Sequence, residues 1–192
     1  MLLFFDVETT GLPKRFNVPY HVLENWPRIV QIAWAGFSPD GTEHFADDAI
    51  IRPDDFEIPD QVAAIHGITQ ARALREGIPA AAALDEFAAD AGRSSLLVAH
   101  NISFDLPIVA AALLRHNISG DFAEMPGFCT MKSREIIRFC NLPKSRGGLK
   151  WPKLAELHRI LFDEDFENAH DARADVRATA RCFFELKERG VI

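Results

Sequence analysis

Cysteine is scarce in this 192-residue chain: Cys129, Cys140 and Cys182 are the whole set, and no two form a C-x-x-C pair. That excludes a disulfide framework or a zinc ribbon and points to reduced, partly buried thiols in a cytoplasmic protein. Long apolar runs are missing as well. The N-terminal run Leu2-Leu3-Phe4-Phe5 stops at Asp6, too short for a signal peptide, and no stretch approaches a membrane span. Net positive charge is absent; the formal charge is −7, which argues against extended, nonspecific duplex binding. There is no internal repeat and no low-complexity tract, and Tyr20 is the one tyrosine. With 48% hydrophobic residues, 192 residues are expected to form a single domain over 1–192 with a sizeable core.

The acidic excess is unevenly placed. Between Cys129 and Arg159 eight basic residues (Lys132, Arg134, Arg138, Lys144, Arg146, Lys150, Lys153 and Arg159) stand against Glu135 and Glu156. Such a stretch is either a solvated helix face or a local track for a polyanion.

Leu2 to Phe5 shows no alternation, the pattern of a strand buried on both faces. Strand side chains repeat every two residues, so Asp6 and Glu8 point to one side with backbones about 6.6 Å apart. Two carboxylates aimed into one space repel. Either one takes up a proton or a cation sits between them, and oxygen ligands suit Mg²⁺ or Mn²⁺. The plainer alternative is a strand ending in two solvated acids before the turn at Gly11.

Residues 13–28 hold three prolines and no period, and are expected to form an elaborated surface loop whose Lys14, Arg15, Tyr20 and Trp26 either touch a ligand or, for Trp26, plug the core. Ile29–Phe37 and His44–Arg52 read as strands around the turn Ser38-Pro39-Asp40-Gly41, completing an antiparallel meander with the first strand. Helices are expected at Pro59–Ile65, at Ala80–Ala91 with a stop at Gly92, and after Thr69 as a cap. Ser95–Ala99 is a buried strand followed by a helix with Ser103 as candidate N-cap and Asp105 near its start. A short strand at Phe128–Met131, a helix at Ser133–Phe139, a basic loop at 142–153, and helices at Leu154–Phe162 and Ala172–Arg189 complete the chain, the last capped by Asp171 and closed by Gly190. Strands first, then strands alternating with helices, predict an α/β fold with a mixed sheet flanked by helices.

Asp105 and Asp175 each lie near a predicted helix N-terminus, where the dipole alone favours an acid. In order, however, Asp6-x-Glu8-Thr-Thr-Gly, His100-Asn101-x-x-Phe104-Asp105 and His170-x-Ala172-x-x-Asp175 resemble the three motifs of the DEDDh (DnaQ-like) 3′–5′ exonucleases. His66-Gly67-Ile68-Thr69 is similar to a segment those enzymes carry between the first two motifs, so the resemblance covers nearly the whole chain. It implies a ribonuclease H-like fold and two-metal-ion hydrolysis of phosphodiesters with Mg²⁺ or Mn²⁺. By the resemblance, Asp6, Glu8 and Asp175 hold the metal that carries the attacking water, and Asp6 and Asp105 support the second.

It further implies His170 as general base, with positioning of the water or a phosphate contact as alternatives. Thr9, Thr10 and Gly11 are candidate amide donors to the terminal nucleotide, and Leu12 and Phe104 candidate wedges, Phe104 equally a core residue. His66 is a candidate contact to the terminal sugar or base, and Asn101 orients its turn or touches substrate. His100 reads as structural.

The expected substrate is the 3′ end of a single or frayed strand, with DNA favoured over RNA from the likeness to proofreading and stand-alone DNA-type relatives. An RNA-trimming enzyme, a catalytically silent nucleic-acid-binding module, and a structural metal protein are the alternatives. No membrane partner is expected. The chain ends soon after its last helix, which favours a free-standing nuclease; a polymerase partner or a homodimer is not legible from sequence.

Overall fold

The apolar N-terminal run becomes the middle of a sheet. In the computed structural model, which describes residues 1–166 and 169–192, strand β1 (Leu2–Thr9) continues through both acids. β2 (Ile29–Phe37) and β3 (Glu43–Ile50) form the expected antiparallel meander, turned by the Gly41 amide donating to the Ser38 carbonyl at 3.0 Å. β4 (Leu96–Ala99) and β5 (Gly127–Cys129) add in parallel on the other side, so the strand order is β3-β2-β1-β4-β5. Both neighbours of β1 are strands and both its faces are covered, which is why its apolar run does not alternate.

Alternate side chains of β1 feed two different cores. Leu2 and Phe4 pack with Val176, Ala180 and Phe183 of α7 (Ala172–Glu188). Leu3, Phe5 and Val7 pack against α3 (Ala80–Gly92) and α4 (Ile102–Arg115) on the opposite face. Aromatic contacts dominate each layer: Phe4 meets Phe183 edge-on at 5.3 Å, and Trp34 meets Phe87 at 5.6 Å. Each such fully buried ring contributes about 1.5–3 kcal/mol of transfer free energy. Gly36 has a packing reason of its own: a Cβ there would lie 2.4 Å from the Phe45 ring across the strand pair. By parity Asp6 and Glu8 continue the row of Leu2 and Phe4, on the α7 side of the sheet.

Among the described residues there are four shorter α-helices: α1 (Asp60–His66), α2 (Gln70–Glu76), α5 (Arg134–Cys140) and α6 (Leu154–Phe162). Thr69 caps α2 and Asp171 caps α7, each side chain accepting from an amide three residues on. Two expected boundaries are corrected. Gly92 is the last helical residue of α3 and not its left-handed stop; the chain leaves through Arg93 in a right-handed conformation. Ser103 is not the cap of α4. Asn101 takes the boundary at φ +85, a left-handed conformation that asparagine tolerates, and Ser103 lies in the first turn with its hydroxyl donating to Asn101 Oδ1 at 3.1 Å. Pro107 lies inside α4, where it removes the hydrogen bond to the carbonyl of Ser103 one turn back, near the start of the helix.

The loop at 13–28 is mostly irregular, with a short 3-10 turn at Leu23–Asn25. Trp26 is the core plug: it is buried, and its indole N–H donates to the Pro19 carbonyl at 3.2 Å. Among the described residues no helix is long and apolar enough to cross a membrane.

Candidate active site

The site lies where β1 outruns its parallel neighbour. The β1–β4 register ends at Phe4 opposite Val98, so Asp6 and Glu8 extend past the last paired residues on that side. α4 begins just beyond the end of β4 and brings Asp105 into the gap, where the Val7 amide hydrogen-bonds its carboxylate in place of a strand partner. α7 brings Asp175 from the other layer, one turn inside its N-terminus. Its start is held by the buried Gln31 side chain of β2, whose Oε1 accepts from the Ala172 amide at 3.1 Å. A crevice outside the carboxyl ends of parallel strands is the usual place for a site in such sheets.

The four acids meet, and their electrostatics record it. Asp6 is pushed well above its ordinary range by burial first, then by the charges of Asp105, Asp175, Glu8 and Asp171. Glu8 is raised to about 8 by burial and by Asp175, Asp105 and Asp171. Asp105, 2% exposed, is raised to about 8, chiefly by burial; its amide bonds and the Lys132 ammonium pull the other way. Asp175 is raised to about 7, again first by burial, against a hydrogen bond from the His170 amide. Carboxylates crowded this way hold protons or require a cation. Oδ1 of Asp175 is buried and has no hydrogen-bond partner among the described residues. That orphaned oxygen, within an oxygen-rich donor set, fits a hard divalent ion.

His170 stands at the edge of the cluster, exposed. One ligand atom each from Glu8, His170 and Asp175 lies within 4.8 Å of the other two. The residue adopts φ +71, a left-handed conformation costly for a side chain with a Cβ. That kink lets its amide donate to Asp175 while its imidazole stays beside Glu8. His66 faces the same cleft, a space of about 550 Å³ that it shares with Gln31, Arg72, His170, Asp171 and Arg173. His66 Nδ1 accepts the Ile68 amide at 3.1 Å, which leaves the ring proton on Nε2. That Nε2 is buried and has no partner among the described residues, so it is a donor aimed into the cleft.

The candidate substrate contacts fare unequally. Leu12 is 74% exposed beside the site, whereas Phe104 is half-buried and packs into the α3/α4 core. The Thr10 amide is not available as an amide donor: it bonds the Arg28 carbonyl at 2.9 Å. Thr9 is buried, its hydroxyl donating to the Gly11 carbonyl at 2.7 Å. Gly11 adopts φ +147 with open space where a Cβ would be, so glycine alone suits that turn. Asn101 orients its own turn, as described above. His100 is structural, tied to Thr130 Oγ1 at 2.9 Å and to the Pro152 carbonyl at 3.1 Å, and lowered to about 4 by burial. Gln31, in an apolar strand, carried no sequence signal, and Lys132 stood out only as one of the eight basic residues between Cys129 and Arg159. Asp171 was legible as a cap, but its charge also presses on Asp6, Glu8 and Asp175.

Comparison with known proteins agrees with this geometry. A family model described as an exonuclease (RNase_T) matches residues 3–183. No curated protein matches the chain. Among solved structures, E. coli exonuclease I in complex with a dT13 oligonucleotide is 20% identical, with a TM-score of 0.75 over 98% of this chain and 41% of that one. A product-bound exonuclease I is 18% identical at a TM-score of 0.74, covering 99% of this chain and 44% of the other. Exonuclease I from Methylocaldum szegediense is 20% identical at 0.73, over 98% and 40%. The chain thus spans about two fifths of the length of these enzymes, and at such identities the likeness is one of fold. With the family model covering nearly every residue, this chain belongs to the RNase_T exonuclease family, the DEDDh group of the ribonuclease H-like superfamily.

Proposed function

We propose that this chain is a metal-dependent 3′–5′ exonuclease that releases nucleoside 5′-monophosphates from single-stranded or frayed DNA ends. The observation that carries the proposal is the meeting of Asp6, Glu8, Asp105 and Asp175 at one end of β1 with His170 at the rim. Single-stranded DNA is favoured because the exonuclease I structures that share this fold include complexes with dT13 and dA16. The proposed unit is the whole of 1–192, with the loops at 13–28 and 142–153 as its elaborations.

In this mechanism Asp6, Glu8, Asp105 and Asp175 would hold two divalent cations, Mg²⁺ or Mn²⁺. When bound, such ions supply Lewis acidity and offset the charge that builds on the phosphoryl oxygens. Glu8 and Asp175 set where the attacking water sits, and the His170 imidazole takes its proton as the oxygen attacks phosphorus. The bond from phosphorus to the 3′-oxygen of the penultimate nucleotide breaks, and that oxygen is protonated from solvent. On this reading the unpartnered His66 Nε2 donor binds the terminal nucleotide, and exposed Leu12 wedges its base away from the next. Gly11 permits the backbone to approach closely.

The test is digestion of a 5′-labelled single strand with Mg²⁺ or Mn²⁺, with free mononucleotides identified by chromatography. A ladder shortening by single nucleotides, stopped by EDTA, is the expected result. A full-length strand under every metal condition would favour a silent binding module, and faster digestion of a matched RNA strand would reassign the substrate.

A further inference from the structure

Of three tryptophans, Trp26 and Trp34 are buried at 6% and 2% exposure, whereas Trp151 is 56% exposed. An indole this open in the middle of a basic loop has no packing reason to be there. Its position is nevertheless held. The next residue, Pro152, is buried, and its carbonyl is bonded by His100 Nε2 at 3.1 Å. His100 is itself tied to Thr130, so the loop is fastened to the ends of β4 and β5, the same ends that open onto the acid cluster. The Lys132 ammonium lies 5.0 Å from the centre of the Trp151 ring and also contacts the Ser103 hydroxyl, two residues before Asp105. The Lys132 charge also reaches Asp105, so Trp151 and Lys132 lead from an exposed aromatic surface toward a metal-ligand candidate. Lys150 is paired with Glu156, but Lys144 and Arg146 on the same loop are exposed, and neither forms an ion pair among the described residues.

We propose that the Trp151 indole, flanked by Lys132, is a stacking platform for a nucleobase of the single strand upstream of the scissile nucleotide. The proposal rests on the exonuclease reading above and extends it to a second, base-dependent subsite. A flat aromatic face beside a cation matches a single-stranded nucleotide, whose base stacks while its phosphate meets the ammonium; every base offers such a face, so the contact tolerates sequence. A duplex end, with its bases already stacked, gains nothing from it. The platform thus selects unpaired strands and holds the substrate for successive cleavages.

Because Trp26 and Trp34 are buried, the emission that a ligand can reach is that of Trp151. The experiment titrates wild-type protein with dT12 and with an abasic strand of the same length and charge, in Ca²⁺, with chromatography confirming that the strands stay intact. We expect dT12 to quench the emission and the abasic strand to leave it unchanged. Read by the anisotropy of 5′-labelled strands, because these variants lack the reporting indole, Trp151→Ala should weaken dT12 binding about 5- to 100-fold while altering abasic binding by less than about twofold, and Trp151→Phe should restore most of the loss. Equal losses on both strands, or equal emission with both, would overturn the platform. Wild-type protein that digests dT12 with Mg²⁺ but shows no base-dependent quenching overturns the platform alone. Base-dependent quenching with no release of nucleotide in Mg²⁺ or Mn²⁺ overturns the exonuclease reading and leaves the platform standing; binding to neither strand overturns both.

Discussion

Replacing Asp105 by asparagine should make the metal-free protein more stable while weakening its response to metal. The carboxyl is 2% exposed and its pKa is pushed from 3.8 to about 8. At pH 7.5 without metal, the unfolded chain carries this group ionised, whereas the native chain must keep a proton on it. Linkage sets the resulting penalty at roughly 5 kcal/mol as an upper bound. Neighbouring acids share protons, so relieving one partly relieves the rest and the recoverable part is smaller, about 2–4 kcal/mol. Asparagine retains an oxygen to accept the Val7 amide and turns an NH₂ donor toward the remaining acids, so no buried group is orphaned. For a domain of this size each kcal/mol moves Tm by roughly 2–4 °C, so the variant should melt about 5–15 °C higher in EDTA. Saturating Mg²⁺ or Mn²⁺ should then raise the wild type, by about 2.7 kcal/mol at 100-fold over Kd, and raise the variant by less, because Asp6, Glu8 and Asp175 still offer one site. Differential scanning calorimetry with and without EDTA reads both effects. A variant that melts at or below the wild type in EDTA, or gains as much from metal, would refute the account of this carboxyl.

Three further outcomes follow from the same geometry. Glu8 and Asp175, raised to about 8 and about 7 from 4.5 and 3.8, make the metal-free protein lose stability as pH rises from about 5 to about 8. The sign follows from the unfolded chain giving up protons that the folded chain retains; divalent metal should flatten the slope, and a metal-free Tm that rises over this window would contradict it. His170→Ala should lower kcat about 10²-fold or more while keeping the Tm increment from Mg²⁺, and near-normal turnover would remove the base assignment. Gln31→Leu deprives the Ala172 amide of its buried acceptor, which should cost about 1–3 kcal/mol in a denaturant melt. Because that amide fixes the start of α7, Mg²⁺ affinity should fall with it, and unchanged affinity would mean that Asp175 is positioned by packing alone.

What could be read from the sequence was local. The parity that places Asp6 and Glu8 on one side of β1, the caps at Thr69 and Asp171, and the span Leu154–Phe162 all depend on neighbours two to four positions apart. The same locality misplaced the start of α4, because Ser103 and Asn101 are both plausible boundary residues and only the chain path out of β4 selects the left-handed Asn101. The commitment of the Thr10 amide to Arg28 was equally hidden, since it pairs residues across a loop without period.

Composition and spacing by themselves determined that four acids and a histidine stood in a recognisable order, and that β1 would be buried on both faces. Tertiary structure alone decided that β1 would outrun β4 by enough to leave a gap for Asp105, that Gln31 would anchor α7, and that Lys132 would meet Trp151 while its charge reaches Asp105. Side-chain direction within an element is dictated by backbone period and is therefore written in the order of residues. Distances between elements arise only when the two cores on either side of β1 close, and no pattern along the chain encodes them.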